Sequence, residues 1–251
     1  MGMKLAVQNY TLRDLMAEDY FGTLEKVKAL GLNYCELAGL GGNSPETVKA
    51  ELDRIGLKVM GAHAGFDWSS DSVESLIDEA KTIGYSYVVL PWIGKEHYQD
   101  GWGKVAEMVI PRAEKLNAAG LKFLYHNHDF EFAKEADGTP GYDVFFNSTP
   151  VGLVGAELDT YWVQAAGYDP AAYITKLAGR VPSVHLKDMS AGDKPTYVPG
   201  GEGILDWTAI LAAARAAGSE YGVIELDVCP RDPMDCIDAS VKYFRGQGIT
   251  E

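Results

Sequence analysis

Eight times along this chain a short β-rich run gives way to a longer stretch with helical periodicity, and few architectures accept such a pattern. The runs are Lys4–Thr11, Tyr34–Ala38, Lys58–His63, Tyr87–Trp92, Lys122–His128, Val154–Thr160, Val181–Asp188 and Tyr221–Asp227. Strands and helices alternating in this way specify βα units and a parallel sheet. The helices carry start and stop signals. Ser44-Pro45-Glu46 offers an N-cap serine, a proline at the first helical position and an acid in the first turn, and Asp206 can cap a helix beginning at Trp207. Gly31, Gly56, Gly84 and Gly120 stand where helix passes to strand, at intervals of 25, 28 and 36 residues. Glycine there supplies the left-handed conformation that ends a helix. This is a repeat of structural units, not a solenoid sequence repeat. An open, doubly wound sheet fits the alternation too. Its first turn usually carries a glycine-rich phosphate loop, whereas the first run here leads into Asn9-Tyr10-Thr11-Leu12-Arg13. Eight units predict closure into a single (β/α)8 TIM-barrel domain over residues 1–251.

Composition narrows the partners. With 47% apolar and 23% charged residues the chain can build a sizeable core. The formal net charge of −14 argues against a phosphate-gripping surface, so no nucleic acid is expected. No apolar run is long enough to cross a bilayer, and the N-terminus lacks the sections of a signal peptide. Cys35, Cys229 and Cys236 form no CxxC pair, which favours reduced thiols and a cytoplasmic location. Cys35 reads as core. Oligomeric state leaves no legible mark.

The chemistry concentrates where the strands end. Gly61-Ala62-His63, Tyr125-His126-Asn127-His128, Glu157-Leu158-Asp159, His185-Leu186-Lys187-Asp188 and Glu225-Leu226-Asp227 close five of the eight runs. Four of the five histidines sit there; His97 does not and reads as structural or surface. Alternation along a strand puts His126 with His128, Glu157 with Asp159, and Glu225 with Asp227. In a closed barrel these groups meet at one mouth, the place where barrel active sites lie. A single strand-end histidine is more often structural than a ligand, so the weight falls on the joint pattern. Crowded carboxylates repel unless a cation or shared protons intervene. Mixed imidazole and carboxylate donors suit Mn, Zn, Co or Fe, with Mg possible if oxygens dominate. The five tryptophans read mainly as packing residues. Trp68 and Trp162 follow strand ends, which favours them as pocket walls. The long irregular stretches Asp129–Tyr142 and Met189–Leu205 follow strands and should lie over the same mouth.

Five segments, YHNHDFEF (125–132), ELDTYWV (157–163), HLKDM (185–189), PGGEGILDW (199–207) and IELD (224–227), with AVQNYTLRD (6–14), carry a resemblance. The chain resembles the xylose isomerase-like barrel superfamily, in its sugar phosphate isomerase/epimerase and inosose dehydratase-like branch. The resemblance implies one divalent ion (Mn, Mg, Co or Zn) held by Glu, Asp, His and Glu from strands five to eight. Carried across, Asp159, His185 and Glu225 match, while the first position holds His126 instead of Glu; His128 or Glu157 could supply that ligand. It also implies a small sugar or polyol substrate and proton abstraction beside a carbonyl through an enediolate. Glu131 and His128 are then the acid/base candidates, with Glu157 next. Lys187 would polarise the carbonyl, or else pair with Glu157 or Asp159. His63 would bind a sugar hydroxyl, with Trp68 and Trp162 along the pocket, and Glu202 in its glycine-rich loop over it. That loop lacks the ending of a phosphate-binding motif. A lyase, of inosose dehydratase type or deglycosylating a 3-keto sugar, would start with the same proton abstraction. A non-catalytic sugar-binding barrel is the alternative that the missing strand-five Glu keeps open. Endonuclease IV, a nuclease of the superfamily, needs several zinc ions and many more histidines than five.

Overall fold

The computed structural model describes residues 2–70 and 72–249. Eight strands run β1 Lys4–Gln8, β2 Tyr34–Leu37, β3 Lys58–His63, β4 Tyr87–Leu90, β5 Lys122–His126, β6 Val154–Asp159, β7 Ser183–Leu186 and β8 Tyr221–Ile224. Each pairs in parallel with the next, and β8 closes on β1. All eight expected strands are present, but seven end short of the runs read from sequence. They fall short by one to three residues, so His128, Lys187, Glu225 and Asp227 stand just past their strands. After β1 it enters a 3-10 turn, Asn9–Leu12.

Alternation divides each strand between two environments. Outward residues such as Val7, Cys35, Val88, Phe123, Leu158, Val184 and Ile224 pack under the helices in the main core. Inward residues Ala6, Met60, Tyr87, Val89, Leu124, Tyr221 and Val223 fill the barrel axis. These two apolar layers are the main driving force for folding. Above the inner layer most inward positions turn polar, with Gln8, Glu36, His126, Glu157, His185 and Glu225 buried there.

Helix ends follow the expected signals. The Ser44 side chain accepts from Thr47 N–H at 3.2 Å, and that of Asp206 from Ala209 N–H at 3.0 Å. Gly56 and Gly84 end their helices at φ of 73° and 93°, values that favour glycine. Both long stretches after β5 and β7 lie at the mouth: the first places Glu131 against His128, and the second places the Tyr197 ring 5.7 Å from Lys187 Nζ. Among the described residues no helix is long and apolar enough to cross a membrane.

Candidate active site

Strand register brings the polar residues together. His126 lies beside Glu157, Asp159 beside His185, and Gln8 beside Glu36. Two short side chains pin the strand ends that pairing leaves. Asn127 Oδ1 accepts from Asp159 N–H at 3.0 Å, and the Thr160 hydroxyl lies 2.9 Å from both His185 O and Lys187 O.

Two groups of contacts emerge. In the deeper one, Glu157 Oε2 lies 2.8 Å from His63 Nε2, 3.0 Å from His185 Nε2 and 3.4 Å from His126 Nδ1. Ser183 Oγ donates to Glu157 Oε1 at 2.9 Å. Glu36 joins this group: its Oε2 accepts from Gln8 Nε2 at 2.7 Å and lies 2.9 Å from His185 Nε2. In the outer group Lys187 Nζ lies 3.0 Å from Asp159 Oδ2, 2.8 Å from Glu225 Oε2 and 2.9 Å from Asp227 Oδ1. His185 bridges the two, with Nδ1 2.8 Å from Glu225 Oε2. Glu36, His126, Glu157, Asp159, His185, Lys187 and Glu225 are all buried.

Burial and charge shift these groups in opposite directions. Burial opposes ionisation of His185, yet Glu157 and Glu225 hold its pKa well above the imidazole range. Burial likewise opposes a charged Lys187, and Asp159, Glu225 and Asp227 overcome it. Glu36 is pushed up to about 7 by burial and by Glu157, and Asp159 to about 6 by burial against the pull of Lys187. His128 falls to about 4 through burial and the Lys187 charge, so its imidazole is neutral at pH 7.

A cavity of about 490 Å³ opens above this network, lined by Tyr10, Ala38, His63, Pro91, Trp92, His126, His128, Glu225 and Asp227. Other residues singled out in the sequence lie elsewhere. Glu131 is buried off the cavity, where the Tyr125 hydroxyl donates to Oε1 and His128 N–H to Oε2, both at 2.8 Å. Burial pushes its carboxyl up to about 8. Trp68 packs against His97 and Arg112, and Trp162 lies behind His128 at 5.2 Å between ring centroids. Glu202 makes an exposed pair with Arg231. Its loop is anchored by Asp188, whose carboxylate accepts from Gly201 N–H, Gly203 N–H and Trp207 Nε1–H. A Cβ on Gly200 would come within 2.3 Å of the Phe244 ring, so the loop packs on the last helix and does not roof the cavity. Lys187 pairs with Asp159, as one reading of the sequence had it, and not with Glu157.

Three residues escaped the sequence reading. Glu36 is a lone acid in an apolar run; in the fold it takes an inward position level with Gln8, next to a register slip between Cys35 and Glu36. Trp92 and Tyr10, 59% and 44% exposed, give the cavity an aromatic rim. Trp92 had read as a packing residue.

Two overlapping quartets present donor atoms within 4.8 Å of one another: His63, His126, Glu157 and His185, and His126, Asp159, His185 and Glu225. His126 Nδ1 is buried with no hydrogen-bond partner, as is Glu36 Oε1. Orphaned donors of this kind fit a divalent cation.

Comparison with known proteins agrees with the architecture. The model of the xylose isomerase-like TIM barrel family matches residues 24–246. An inosose dehydratase of Geobacillus kaustophilus (strain HTA426) is 23% identical over 192 residues, covering 66% of this chain and 61% of that protein. The chain thus spans about three fifths of that relative. A sugar phosphate isomerase/epimerase structure from Parabacteroides distasonis ATCC 8503 superposes with a TM-score of 0.85 at 23% identity, covering all of both chains. The IOLI protein, solved with a zinc atom bound, superposes at 0.71 with 17% identity over 98% of each chain. With closed barrel and family match in agreement, this chain belongs to the xylose isomerase-like TIM barrel family.

Proposed function

We propose that this protein is a divalent-metal-dependent isomerase or epimerase that moves a proton beside the carbonyl of a small keto-sugar or polyol. The supporting observation is the juxtaposition of a 490 Å³ cavity with a neutral imidazole, a salt-bridged ammonium and two overlapping quartets of metal-type donors. The quartets draw on His63, His126, Glu157, Asp159, His185 and Glu225, and a bound ion would act as a Lewis acid toward the sugar carbonyl.

The chain's own residues would do the rest. His128 lines the cavity and is unprotonated at neutral pH, so it can take the proton. Asp227, on the same wall, is the partner for its return. Lys187 donates to Asp227 Oδ1 and lies within 3.0 Å of Asp159 and Glu225, which fixes all three carboxylates. Glu131, both of whose oxygens are engaged away from the cavity, positions His128 through its backbone. Trp92 and Tyr10 offer apolar faces to the C–H side of a sugar ring and displace water from it.

A lyase beginning with the same proton abstraction is the second reading, favoured by the similarity to inosose dehydratase. Incubation in D2O with a panel of ketoses, keto-polyols and inososes, read by NMR, separates the two. Deuterium entering a recovered or isomeric sugar supports the isomerase; loss of water supports the lyase. His128→Asn should slow exchange by roughly 10²-fold or more without loss of bound metal. No exchange and no product with any substrate, metal present, would sink the proton-transfer reading.

A further inference from the structure

Two buried side chains beneath the metal-type donors have no part in the chemistry described so far. Gln8 ends β1 and Glu36 lies beside it on β2, both without exposed surface. Glu36 is the one acid of its strand, and its Oε1 has no hydrogen-bond partner. Burying a carboxyl group at the barrel axis costs free energy that packing alone does not return.

The other oxygen of Glu36 is held in place. Gln8 Nε2 donates to Oε2 at 2.7 Å, and Gln8 Oε1 accepts from Tyr10 N–H at 3.0 Å. The Gln8 amide cannot turn over without losing both bonds, because one end only donates and the other only accepts. His185 Nε2 lies 2.9 Å from the same Oε2, and His63 Nε2 stands further off at 3.4 Å. His185 is on β7, with β8 and β1 between it and Glu36, so this contact crosses the barrel interior.

His185 is two-sided. Its Nδ1 lies 2.8 Å from Glu225 Oε2, and both residues belong to the quartet with His126 and Asp159. Its Nε2 faces Glu36 at 2.9 Å and Glu157 at 3.0 Å. Glu157 Oε2 is divided among three imidazoles and is itself a member of a quartet, whereas Glu36 belongs to neither. The His63 ring stacks on His185 at 5.5 Å and 8°, which limits tilt but does not choose between the nitrogens. An imidazole that binds a metal through one nitrogen gives its other N–H to a carboxylate, and that bond fixes tautomer and ring orientation.

We propose that Glu36, held by Gln8, is the positioning residue for His185: it takes the Nε2–H and leaves Nδ1 to the divalent ion that His185 shares with Asp159 and Glu225. This rests on the metal-dependent reading above. Tyr10 lines the cavity, so one chain of hydrogen bonds ties the rim to the metal floor.

The experiment uses the intact protein with nitrogen-15-labelled histidine, loaded with Zn(II), beside Glu36→Gln. Long-range proton–nitrogen NMR reads which His185 nitrogen carries the proton. X-ray absorption counts the nearest ligands, and chelator competition gives the affinity. The parent should show His185 protonated at Nε2 and bound through Nδ1. Glu36→Gln should keep the number and type of ligands, shift the Nε2 proton signal and bind Zn(II) roughly 10–100-fold more weakly. A proton on Nδ1 in the parent would overturn the positioning role, and this is readable even if the variant does not fold. So would a variant with unchanged affinity and signal, or one that loses an oxygen ligand, since Glu36 would then bind the ion itself. Each of these leaves the metal-dependent reading standing. Zn(II) outcompetes manganese and magnesium at sites with imidazole donors, so its failure to bind the parent would overturn both.

Discussion

The two ends of the barrel solve the same problem differently. At the lower end Tyr34, Tyr87 and Tyr221 plug the axis, their rings 5.5 and 6.1 Å apart edge to face. Lys4 lies over two of these rings, and the Tyr87 hydroxyl donates to Glu220. A cavity of about 300 Å³ opens at this end beside Arg180. The Arg180 guanidinium spends its donors on Phe146 O, Val154 O and Thr149 Oγ1, so the charge beside this cleft is met by oxygen acceptors. At the upper end carboxylates, imidazoles and one ammonium are buried against one another, and several side-chain atoms lack hydrogen-bond partners. A cavity alone therefore does not mark a site. Unmet polar groups do, because burying them costs free energy that structure alone has no reason to accept.

Three substitutions would break or sharpen this contrast. The largest effect should come from Lys187→Met, which leaves Asp159, Glu225 and Asp227 without their cation. Breaking a buried ion pair costs about 3–5 kcal/mol, and denaturant unfolding in the presence of a chelator should show a loss of that order. Stability equal to the parent's would mean that the upper network does not depend on Lys187.

Glu131 lies near the upper end but outside its network, so its effect should appear in pH. Its folded pKa of about 8 exceeds the ordinary carboxylate value because of burial. Unfolding then releases a proton between about pH 5 and 8, and stability from this group falls as pH rises through that window, by on the order of 1 kcal/mol per pH unit. Glu131→Gln should remove that slope, as read from unfolding midpoints at pH 5, 6.5 and 8. Parallel curves for the two proteins would refute the assignment. At the lower end, Tyr87→Phe removes one partly exposed hydrogen bond to Glu220. The expected loss is about 1 kcal/mol or less, with sugar turnover unchanged; a loss as large as that of Lys187→Met would erase the contrast between the ends.

Much of the site was legible as residue type and place. His63, His126, His128, Glu225 and Asp227 stood at run ends and all line the cavity. Glu131 misled, because its position in YHNHDFEF suggests the mouth, whereas a 3-10 turn over Phe130–Phe132 folds its carboxyl back onto Tyr125. Glu202 misled for a related reason: its loop is drawn onto the last helix by Asp188 and the close approach of Gly200 to Phe244. Glu36 was invisible because a lone acid in an apolar run has no local pattern to betray it.

Periods of 2 and 3.6, capping residues and glycine stops act over a few residues, so the sequence by itself determined the number of βα units, their order and the end of the barrel that carries polar groups. Which nitrogen of His126 and His185 faces which carboxylate was decided only by the tertiary structure. That choice depends on the stagger between neighbouring strands and on where the chain turns after each one. It is settled by contacts between residues such as Glu36 and His185, or Lys187 and Asp227, that no local spacing relates.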